Sequence, residues 1–393
     1  MKRSSPPVAP PPALHVRLQY GFGPEAQPGA GLHHPLFEIL QAVQAHGSIQ
    51  RAAAALGHSY RHVWGVLRDW GERFGEPLVT WSQGQPARLT SFGERLLWAE
   101  ARARSRMAPH LEALRGELEQ VMADALAPAW QHLPEPLPLW LGHDPTLAPL
   151  QAHARATQGL HLTFQFTGGL DALRALAEGR CAVAGVAVPT LQHARQAYAP
   201  VLQALLDPAR HRLVPALRRT QGLMVAPGNP RGLKGLADLP GTRQAQRAPG
   251  SGTRLLMDHL WAVARAAGEV PPGPVPPAAV TEEGPLAVAA AVACGAADWG
   301  LGPQSAAAAQ GLDFIALIEE DLLLVCAADR VDSPPLQALR AALSHPAWVE
   351  RLAEVPGCRP PGAWAPGEVL ALDQALPWWP GGTSPLPPDP ARG

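Results

Sequence analysis

The chain has 393 residues, of which 47% are hydrophobic and 17% charged, and its formal net charge is −1. This length suffices for two or three domains with separate cores, and the hydrophobic share excludes a wholly disordered protein. The four cysteines are far apart and form no C-x-x-C pair, which argues against a disulfide framework or a zinc site and favours the reducing cytoplasm. The sequence contains no signal peptide and no apolar stretch long enough to span a membrane, so no membrane partner is expected.

The small net charge conceals an asymmetry along the chain. Residues 1–106 carry 12 basic and 7 acidic residues, whereas the remainder has an acidic surplus. A basic amino-terminal portion is typical of a nucleic-acid contact at one end of a protein. Within it, residues 1–30 are rich in proline and glycine and are predicted to be disordered.

The segment Gly47–Trp70 has the spacing of a helix-turn-helix and follows an amphipathic first helix. Ala53 stands where the two helices approach closely, and Gly57 stands where the turn needs a positive φ. Ser59 is a suitable N-cap for the second helix. The apolar positions predicted to bury the inner faces of both helices are Ile49, Leu56, Val63 and Val66.

Two short extended segments, residues 78–81 and 87–90, surround a glycine-containing turn and predict a β-hairpin wing. An isolated pair of helices is equally compatible with an ordinary αα-hairpin. The order of helix, helix-turn-helix and wing favours a winged helix-turn-helix DNA-binding domain over residues 31–90. The residues predicted to approach DNA are Ser59, Tyr60, Arg61, His62 and Arg68, with Arg88 of the wing placed to meet phosphate.

Residues 91–127 predict one long helix that opens with a capping box at Ser91 and Glu94. Apolar residues recur every three or four positions from Phe92 to Val121, which indicates a dimerising linker helix. Packing of this helix on its own body is the alternative. Pro109 is expected to kink or divide it.

After a proline-rich linker, short apolar strands alternate with helices over residues 138–355. This alternation predicts an α/β domain with mainly parallel strands. Residues 356–393 are again rich in proline and are predicted to form a tail with a short helix at residues 367–376 and disorder over about the last fifteen residues. The sequence leaves open whether Trp378 and Trp379 anchor this tail or are merely apolar residues within it.

The strongest ligand signal is the run from Gln246 to Arg254, which leads directly into a predicted helix. A glycine-rich turn at a helix N-terminus exposes unpaired backbone N–H groups and the positive end of the helix dipole, and both attract small anions. A capped helix without a ligand is the alternative. The residues predicted to hold an anion here are Arg247, Gly250, Ser251, Gly252, Thr253 and Arg254.

Two further loops follow predicted strands and contribute His143, Asp144, Thr167 and Gly168 to the predicted ligand site. Each of these residues is equally explained by a local turn. His58 and His62 have i,i+4 spacing but lack a third ligand, so no metal site is predicted. No nucleophile is paired with a base and no cofactor motif is present, so neither an enzyme nor a cofactor is expected.

Residues 34–126 resemble the amino-terminal domain of the molybdate-responsive ModE regulators, which is related to the LysR winged helix-turn-helix. The resemblance rests on G-S-I-x-x-A-A, on S-Y-R-H-V-W and on L-T-x-F-G after the wing. Residues 138–355 resemble the type-2 periplasmic-binding-protein-like domain of molybdate- or tungstate-binding type. Its motifs here are G-H-D-P, R-x-Q-G-L-x-V-A-P-G-N-P, R-x-P-G-S-G-T-R and A-D-x-G-L-G.

The resemblance implies two α/β lobes around a cleft, with the chain crossing between them near Gln221–Pro227 and returning near Leu322–Ala327. It also implies a cytoplasmic sensor. The sequence departs from the pattern at Ala187, where relatives often carry histidine, and at Gly284-Pro285, where some carry a polar pair. Both departures remove potential donors from the cleft.

The resulting prediction is a multidomain, dimeric or higher homo-oligomeric transcription regulator. Its winged helix-turn-helix and linker helix are expected to bind a double-stranded DNA operator, and its two-lobed α/β domain is expected to bind molybdate or tungstate. A LysR-type regulator of a small organic carboxylate is one alternative. A cytoplasmic oxyanion-binding protein with a vestigial DNA-binding domain is another.

Overall fold

The computed structural model describes residues 34–80, 86–126, 136–142, 145–190, 195–272, 275, 277–376 and 378–379. The chain forms two compact units that divide between Arg104 and Ser105. The disorder predicted for residues 1–30 and for the end of the tail falls on residues outside these ranges. Within them, no helix is both long and apolar enough to cross a membrane.

The first unit contains three helices, a two-stranded hairpin and the beginning of a long helix. In chain order these are α1 (Pro35–His46), α2 (Ile49–Ala55), α3 (Tyr60–Phe74), β1 (Val79–Thr80), β2 (Arg88–Leu89) and α4 (Ser91–Leu126). The two strands pair antiparallel, with Val79 opposite Leu89. The turn between them, residues 81–85, lies outside the described residues.

The predicted helix-turn-helix geometry is present. Ser59 accepts a hydrogen bond from the backbone N–H of His62 at 3.1 Å and so caps α3. Gly57 has φ +68°, a left-handed conformation that only glycine adopts without steric cost. Ile49, Ala53 and Val63 are buried in the core of this unit, whereas Leu56 and Val66 are only partly buried.

The start of α4 differs from the prediction. Thr90, rather than Ser91, caps the helix, because its hydroxyl accepts a hydrogen bond from the N–H of Gly93 at 3.0 Å. The same hydroxyl donates to the carbonyl oxygen of Pro77 at 2.7 Å. The N-cap therefore lies one residue before the predicted one, and Gly93 has no side chain with which to complete a capping box.

Gly93 brings α4 against strand β1 more closely than any side chain allows. A Cβ atom at this position would lie 2.3 Å from the carbonyl oxygen of Leu78. We expect Gly93→Ala to destabilise the first unit by about 1–3 kcal/mol through overpacking. Calorimetry should show its transition lowered by at least about 4 °C.

The control for this substitution is Gly65→Ala in α3, where no atom lies within 4 Å of the position of a Cβ. That change should raise stability slightly, because alanine favours the helix over glycine by about 0.5–1 kcal/mol. Equal stability of the Gly93→Ala protein and the unsubstituted chain would contradict the close approach.

Helix α4 is 36 residues long and continues past Pro109, so this proline does not divide the helix. Ala99, Ala103, Leu114 and Leu118, all members of the predicted apolar stripe, are exposed. Leu114 is 50% exposed and Leu118 is 36% exposed. Leucines this exposed indicate a helix face without an apolar neighbour in the described part of the chain.

The described strands of the second unit form one nine-stranded mixed sheet. They are β3 (Leu137–Gly142), β4 (Leu162–Thr167), β5 (Val183–Pro189), β6 (His211–Val225), β7 (Gln244–Arg247), β8 (Ala278–Glu282), β9 (Trp299–Pro303), β10 (Asp313–Ala327) and β11 (Cys358–Arg359). Their order is β4-β3-β5-β10-β6-β9-β7-β8, with β11 also paired to β6.

Helices cover this sheet and contribute the loops of the site. They are α5 (Leu150–Gln158), α6 (Gly169–Ala177), α7 (Arg195–Leu205), α8 (Gly252–Ala266), α9 (Pro285–Ala293), α10 (Gln304–Ala309), α11 (Pro334–Ser344), α12 (Pro346–Ala353) and α13 (Leu372–Ala375).

The sheet is less parallel than predicted because of β6 and β10. Each has 15 residues, and the two pair antiparallel along their whole length. Strands β3, β4 and β5 pair in parallel at one end of the sheet, as do β7, β8 and β9 at the other. The two long strands therefore join two parallel halves, as the predicted two-lobed domain requires.

The crossing between the halves lies a few residues earlier than the resemblance implies. The last part of β10 pairs with β5, and the last part of β6, from Gln221, pairs with β9. The change of partner therefore occurs at residues 218–221 of β6 and 318–321 of β10. Polar and charged side chains are concentrated at this crossing.

The carboxy-terminal segment packs on the second unit. A short helix forms within the predicted range, as α13, and in addition Cys358 and Arg359 pair with β6 and Leu370 bridges to Leu213. Trp378 and Trp379 are buried in the same apolar cluster as Leu213. This packing favours the interpretation that the two tryptophans anchor the segment to the domain.

Candidate functional site

A cavity of about 60 Å³ lies inside the second unit, where the crossing of β6 and β10 meets the N-terminal ends of three helices. The first residues of α6, α8 and α9 line it, so the positive ends of three helices lie beside one small space. The polar side chains that line it are Tyr198, Arg219, Gln221, Arg247, Ser251, Thr253 and Glu320.

The N-terminus of α8 forms the part of the site that the sequence predicted. Ser251 caps the helix by accepting a hydrogen bond from the N–H of Arg254 at 3.1 Å. Gly250 has φ +84°, which turns the loop into the helix. Ser251, Gly252 and Thr253 line the cavity, and the two hydroxyl-bearing side chains are buried.

The two arginines of this motif have different environments. Arg247, the last residue of β7, is 8% exposed, lines the cavity and donates to the carbonyl oxygen of Glu283 at 2.7 Å. The Nε of Arg254 lies 3.0 Å from a carboxylate oxygen of Asp258, one turn along α8, and Arg254 does not line the cavity. The structure therefore brings Arg247 to the site but not Arg254.

The loop before α6 approaches the loop before α8. A Cβ on Gly168 would lie 3.3 Å from the carbonyl oxygen of Gly250, so the two turns are almost in contact. Gly169 and Leu170 line the cavity, whereas Thr167 and Gly168 lie beside the lining. The predicted residues His143 and Asp144 fall outside the described residues, and their neighbour Gly142 lines the cavity.

Three cavity residues that were not predicted come from the crossing strands. Glu320 is 1% exposed, and one of its carboxylate oxygens accepts from Nη2 of Arg219 at 3.0 Å and from Nε2 of Gln221 at 2.8 Å. Beside them, Nε of Arg218 donates to Asp321 at 2.7 Å. The motif R-x-Q at Arg219 was visible in the sequence, but its carboxylate partner is about a hundred residues away.

Tyr198 of α7 is the remaining polar residue of the lining that was not predicted. Its hydroxyl donates to the carbonyl oxygen of Gly252 at 2.9 Å and so holds the first turn of α8. Burial raises the pKa of this phenol well above its ordinary value of 10.0, and the charge of Glu320 adds to the effect. The hydroxyl therefore remains protonated and keeps donating to Gly252.

In the first unit, the N-terminal end of α3 is exposed and basic. Ser59, Tyr60, Arg61 and His62 are all exposed, and Tyr60 is 49% exposed. Such residues at the start of a recognition helix are the ones that reach base edges in helix-turn-helix proteins.

Arg68 lies two turns further along α3 and its charge is already partnered. Its Nη2 lies 3.1 Å from Asp69, its Nε lies 3.7 Å from Glu72, and its guanidinium stacks over Trp64 at 5.1 Å. Arg88 is exposed on β2, as the wing requires. The rings of His58 and His62 are tilted by 52° with centroids 4.8 Å apart, and the described residues include no cluster of three metal ligands.

Two cysteines of the second unit are expected to react slowly with alkylating reagents. Burial raises the pKa of Cys181 to about 11 and that of Cys326 to about 11. We expect both thiols to resist alkylation at pH 8 in the native chain, because the thiolate is the reactive form. Mass spectrometry should find Cys294, which is half-buried, labelled before them.

Unfolding in guanidinium is the control for this experiment, because all four cysteines should then react alike. Rapid labelling of Cys181 or Cys326 in the folded protein would contradict the prediction.

Comparison with known families matches the two units separately. Residues 35–94 match the bacterial regulatory helix-turn-helix proteins of the lysR family, and residues 150–344 match the PBP superfamily domain. The uncharacterized protein YvgK of Bacillus subtilis (strain 168) is 30% identical over 168 residues, which cover 41% of this chain and 51% of YvgK. The chain thus spans about half the length of that curated relative.

Solved structures that align with most of this chain include two from Corynebacterium glutamicum. OxyR with bound hydrogen peroxide has 17% identity and a TM-score of 0.41, covering 78% of this chain and 90% of that one. The full-length LysR-type regulator LysG with bound effector arginine has 19% identity and a TM-score of 0.37, covering 78% and 95%.

The first unit is thus similar to a bacterial regulatory helix-turn-helix of the lysR family, and the second is similar to a PBP superfamily domain. This chain joins the two in that order.

Proposed function

We propose that the protein is a ligand-responsive transcription regulator that acts in the cytoplasm. The observation that supports this most strongly is the presence, in one chain, of an exposed recognition helix and a small cavity that is lined by buried Arg247 and by the N-terminus of α8. The first suits DNA, and the second suits a small anion.

The proposed effector is a small oxyanion. A cavity of about 60 Å³ is far below the range of about 300–1,000 Å³ typical of drug-sized ligands. The hydroxyls of Ser251 and Thr253, the backbone N–H groups of α8 and the guanidinium of Arg247 supply donors to a compact anion. Molybdate and tungstate, which the sequence resemblance implies, are the first ions to test.

A small organic carboxylate is the second candidate. Arginine binds a carboxylate through two parallel hydrogen bonds, and Arg247 is the charged residue beside the α8 helix end. Glycolate-sized acids suit the cavity better than larger ones. The two candidates differ only in the chemistry of the anion and share the same residues.

DNA binding is proposed to involve Tyr60, Arg61 and His62 at base edges and Arg88 at phosphate. Because α3 has Asp69 and Glu72 on its later turns, the contact is centred on the first turn of the helix. Ser59 shapes that turn as its cap. Closure of the two halves around the anion is proposed to change the spacing of the DNA-binding units in an oligomer.

A homodimer is proposed to form through α4. Its exposed Leu114 and Leu118 lie one turn apart, as in helix pairs that dimerise. We expect the double substitution Leu114→Glu and Leu118→Glu to shift the protein towards monomer in sedimentation analysis. An unchanged sedimentation coefficient would contradict dimerisation through this helix face.

The proposed function is tested with two measurements on the full chain. Calorimetry with molybdate, tungstate, sulfate, phosphate and small carboxylates should show micromolar binding of at least one anion. Fluorescence anisotropy with DNA from the promoter of its own gene should show binding that changes when that anion is added. Anion binding without any DNA binding would instead support a binding protein with a vestigial helix-turn-helix.

A further inference from the structure

The cavity has an acceptor side in addition to its anion-binding side. The α8 terminus supplies hydrogen-bond donors. Gln221 of β6 and Glu320 of β10 also line the cavity, and their side chains carry acceptor oxygens. Gln221 is 0% exposed and Glu320 is 1% exposed. A ligand that fills this space therefore meets hydrogen-bond donors and hydrogen-bond acceptors together.

The orientation of the Gln221 amide follows from its neighbour. Oε2 of Glu320 accepts from the guanidinium of Arg219 and so acts as an acceptor, which means that the group of Gln221 that lies 2.8 Å from it is the NH₂. The amide oxygen is therefore directed away from Glu320. Oε1 of Gln221 is buried and accepts no hydrogen bond from the described residues.

A buried acceptor of this kind costs free energy unless a ligand supplies a donor. Fully deprotonated tetrahedral anions carry only acceptors and leave it unsatisfied. Hydrogen phosphate carries one O–H, and a 2-hydroxycarboxylate carries a hydroxyl beside its acid group. Either one can donate to Oε1 of Gln221 while its charged oxygens face Arg247 and Ser251.

We propose that this site selects small anions that carry their own hydrogen-bond donor, and that Gln221 is the residue that selects them. The proposal rests on the proposed function, since it concerns the same cavity. It ranks hydrogen phosphate above sulfate and molybdate, and glycolate above acetate. In each of these comparisons the preferred ion has a donor that the other lacks.

The test is calorimetry of the full chain at pH 8 with these five anions. We expect the preferred member of at least one comparison to bind about 10- to 100-fold more tightly, the factor that corresponds to one unsatisfied buried polar group. A preference for hydrogen phosphate would identify the O–H of a protonated oxyanion as the donor. A preference for glycolate would identify the hydroxyl of a 2-hydroxycarboxylate. Molybdate or sulfate binding as tightly as phosphate, with glycolate no better than acetate, would overturn the proposal.

A substitution tests the role of Gln221 itself. In Gln221→Met the acceptor is lost at similar volume, and the preference for the donor-bearing anion should fall to less than about threefold. Gln244→Met is the matched control, because Gln244 is also buried with an amide oxygen that accepts no hydrogen bond within the described part of the chain, yet it does not line the cavity. If Gln221→Met does not fold, the affinities of the unsubstituted chain for the five anions still test whether the site prefers anions that carry a donor.

The outcomes for the two proposals are separable. Tight binding of molybdate with no preference for donors contradicts the acceptor role of Gln221 but leaves an anion-responsive regulator. Failure of every anion to bind contradicts both.

Discussion

Arg247→Ala is expected to lower the affinity for the effector anion at least about 30-fold in calorimetric titration. Arg247 is buried, lines the cavity and ends strand β7 beside the N-terminus of α8. Truncating a buried charged partner costs about 2–5 kcal/mol, and each 1.4 kcal/mol is a factor of about ten in affinity. Arg247→Lys keeps the charge but loses the planar fork, so its loss should be smaller.

The matched control is Arg254→Ala in the same sequence motif. Its side chain is ion-paired with Asp258 on the outside of α8, so the affinity should change less than about threefold. Thermal unfolding of all three variants checks that the domain is intact, because Arg247 also holds the carbonyl of Glu283. Equal losses for Arg247→Ala and Arg254→Ala would contradict the placement of the anion.

Arg61→Ala is expected to weaken binding to the specific operator by about 5- to 100-fold in fluorescence anisotropy. Arg61 is exposed on the first turn of α3, and among the described residues no carboxylate forms an ion pair with it. A base contact from arginine is worth about 1–3 kcal/mol of discrimination. The loss should therefore be much smaller on DNA of unrelated sequence.

Arg68→Ala is the comparison within the same helix. Because Asp69 and Glu72 already compensate its charge, its removal should change affinity less than about threefold. A uniform loss on all DNA sequences after Arg61→Ala, with a smaller salt dependence, would assign Arg61 to phosphate rather than to bases.

The predictions that held were those governed by short stretches of chain. Gly57, Ser59 and the buried positions of α2 and α3 follow from helix periodicity, capping and the need for a positive φ. The same is true of the turn at Gly250–Ser251, where a glycine and an N-cap define the start of α8. At the start of α4 the predicted cap, Ser91, was wrong. Thr90 caps the helix, and its contact with Pro77 could not be predicted from the local sequence.

The errors and omissions share one cause, which is pairing across long separations in the chain. Arg247 and Arg254 look equivalent in the sequence. Asp258 lies four residues after Arg254, but this spacing does not reveal which of the two arginines lines the cavity. Glu320, Gln221 and Tyr198 come from three separate elements and meet only after β6 and β10 pair.

The amino-acid sequence alone thus determined the winged helix-turn-helix, the long α4, the α/β class of the second unit and an anion-suited turn at Arg247–Arg254. Periodicity, caps and glycine conformations depend on residues that are close in the chain, so they can be predicted from the sequence alone. Only the tertiary structure decided which arginine lines the cavity and left the amide oxygen of the lining residue Gln221 buried without a hydrogen bond from the described residues. Burial and hydrogen-bond satisfaction depend on strands about a hundred residues apart, and these acquire neighbours only in the folded sheet.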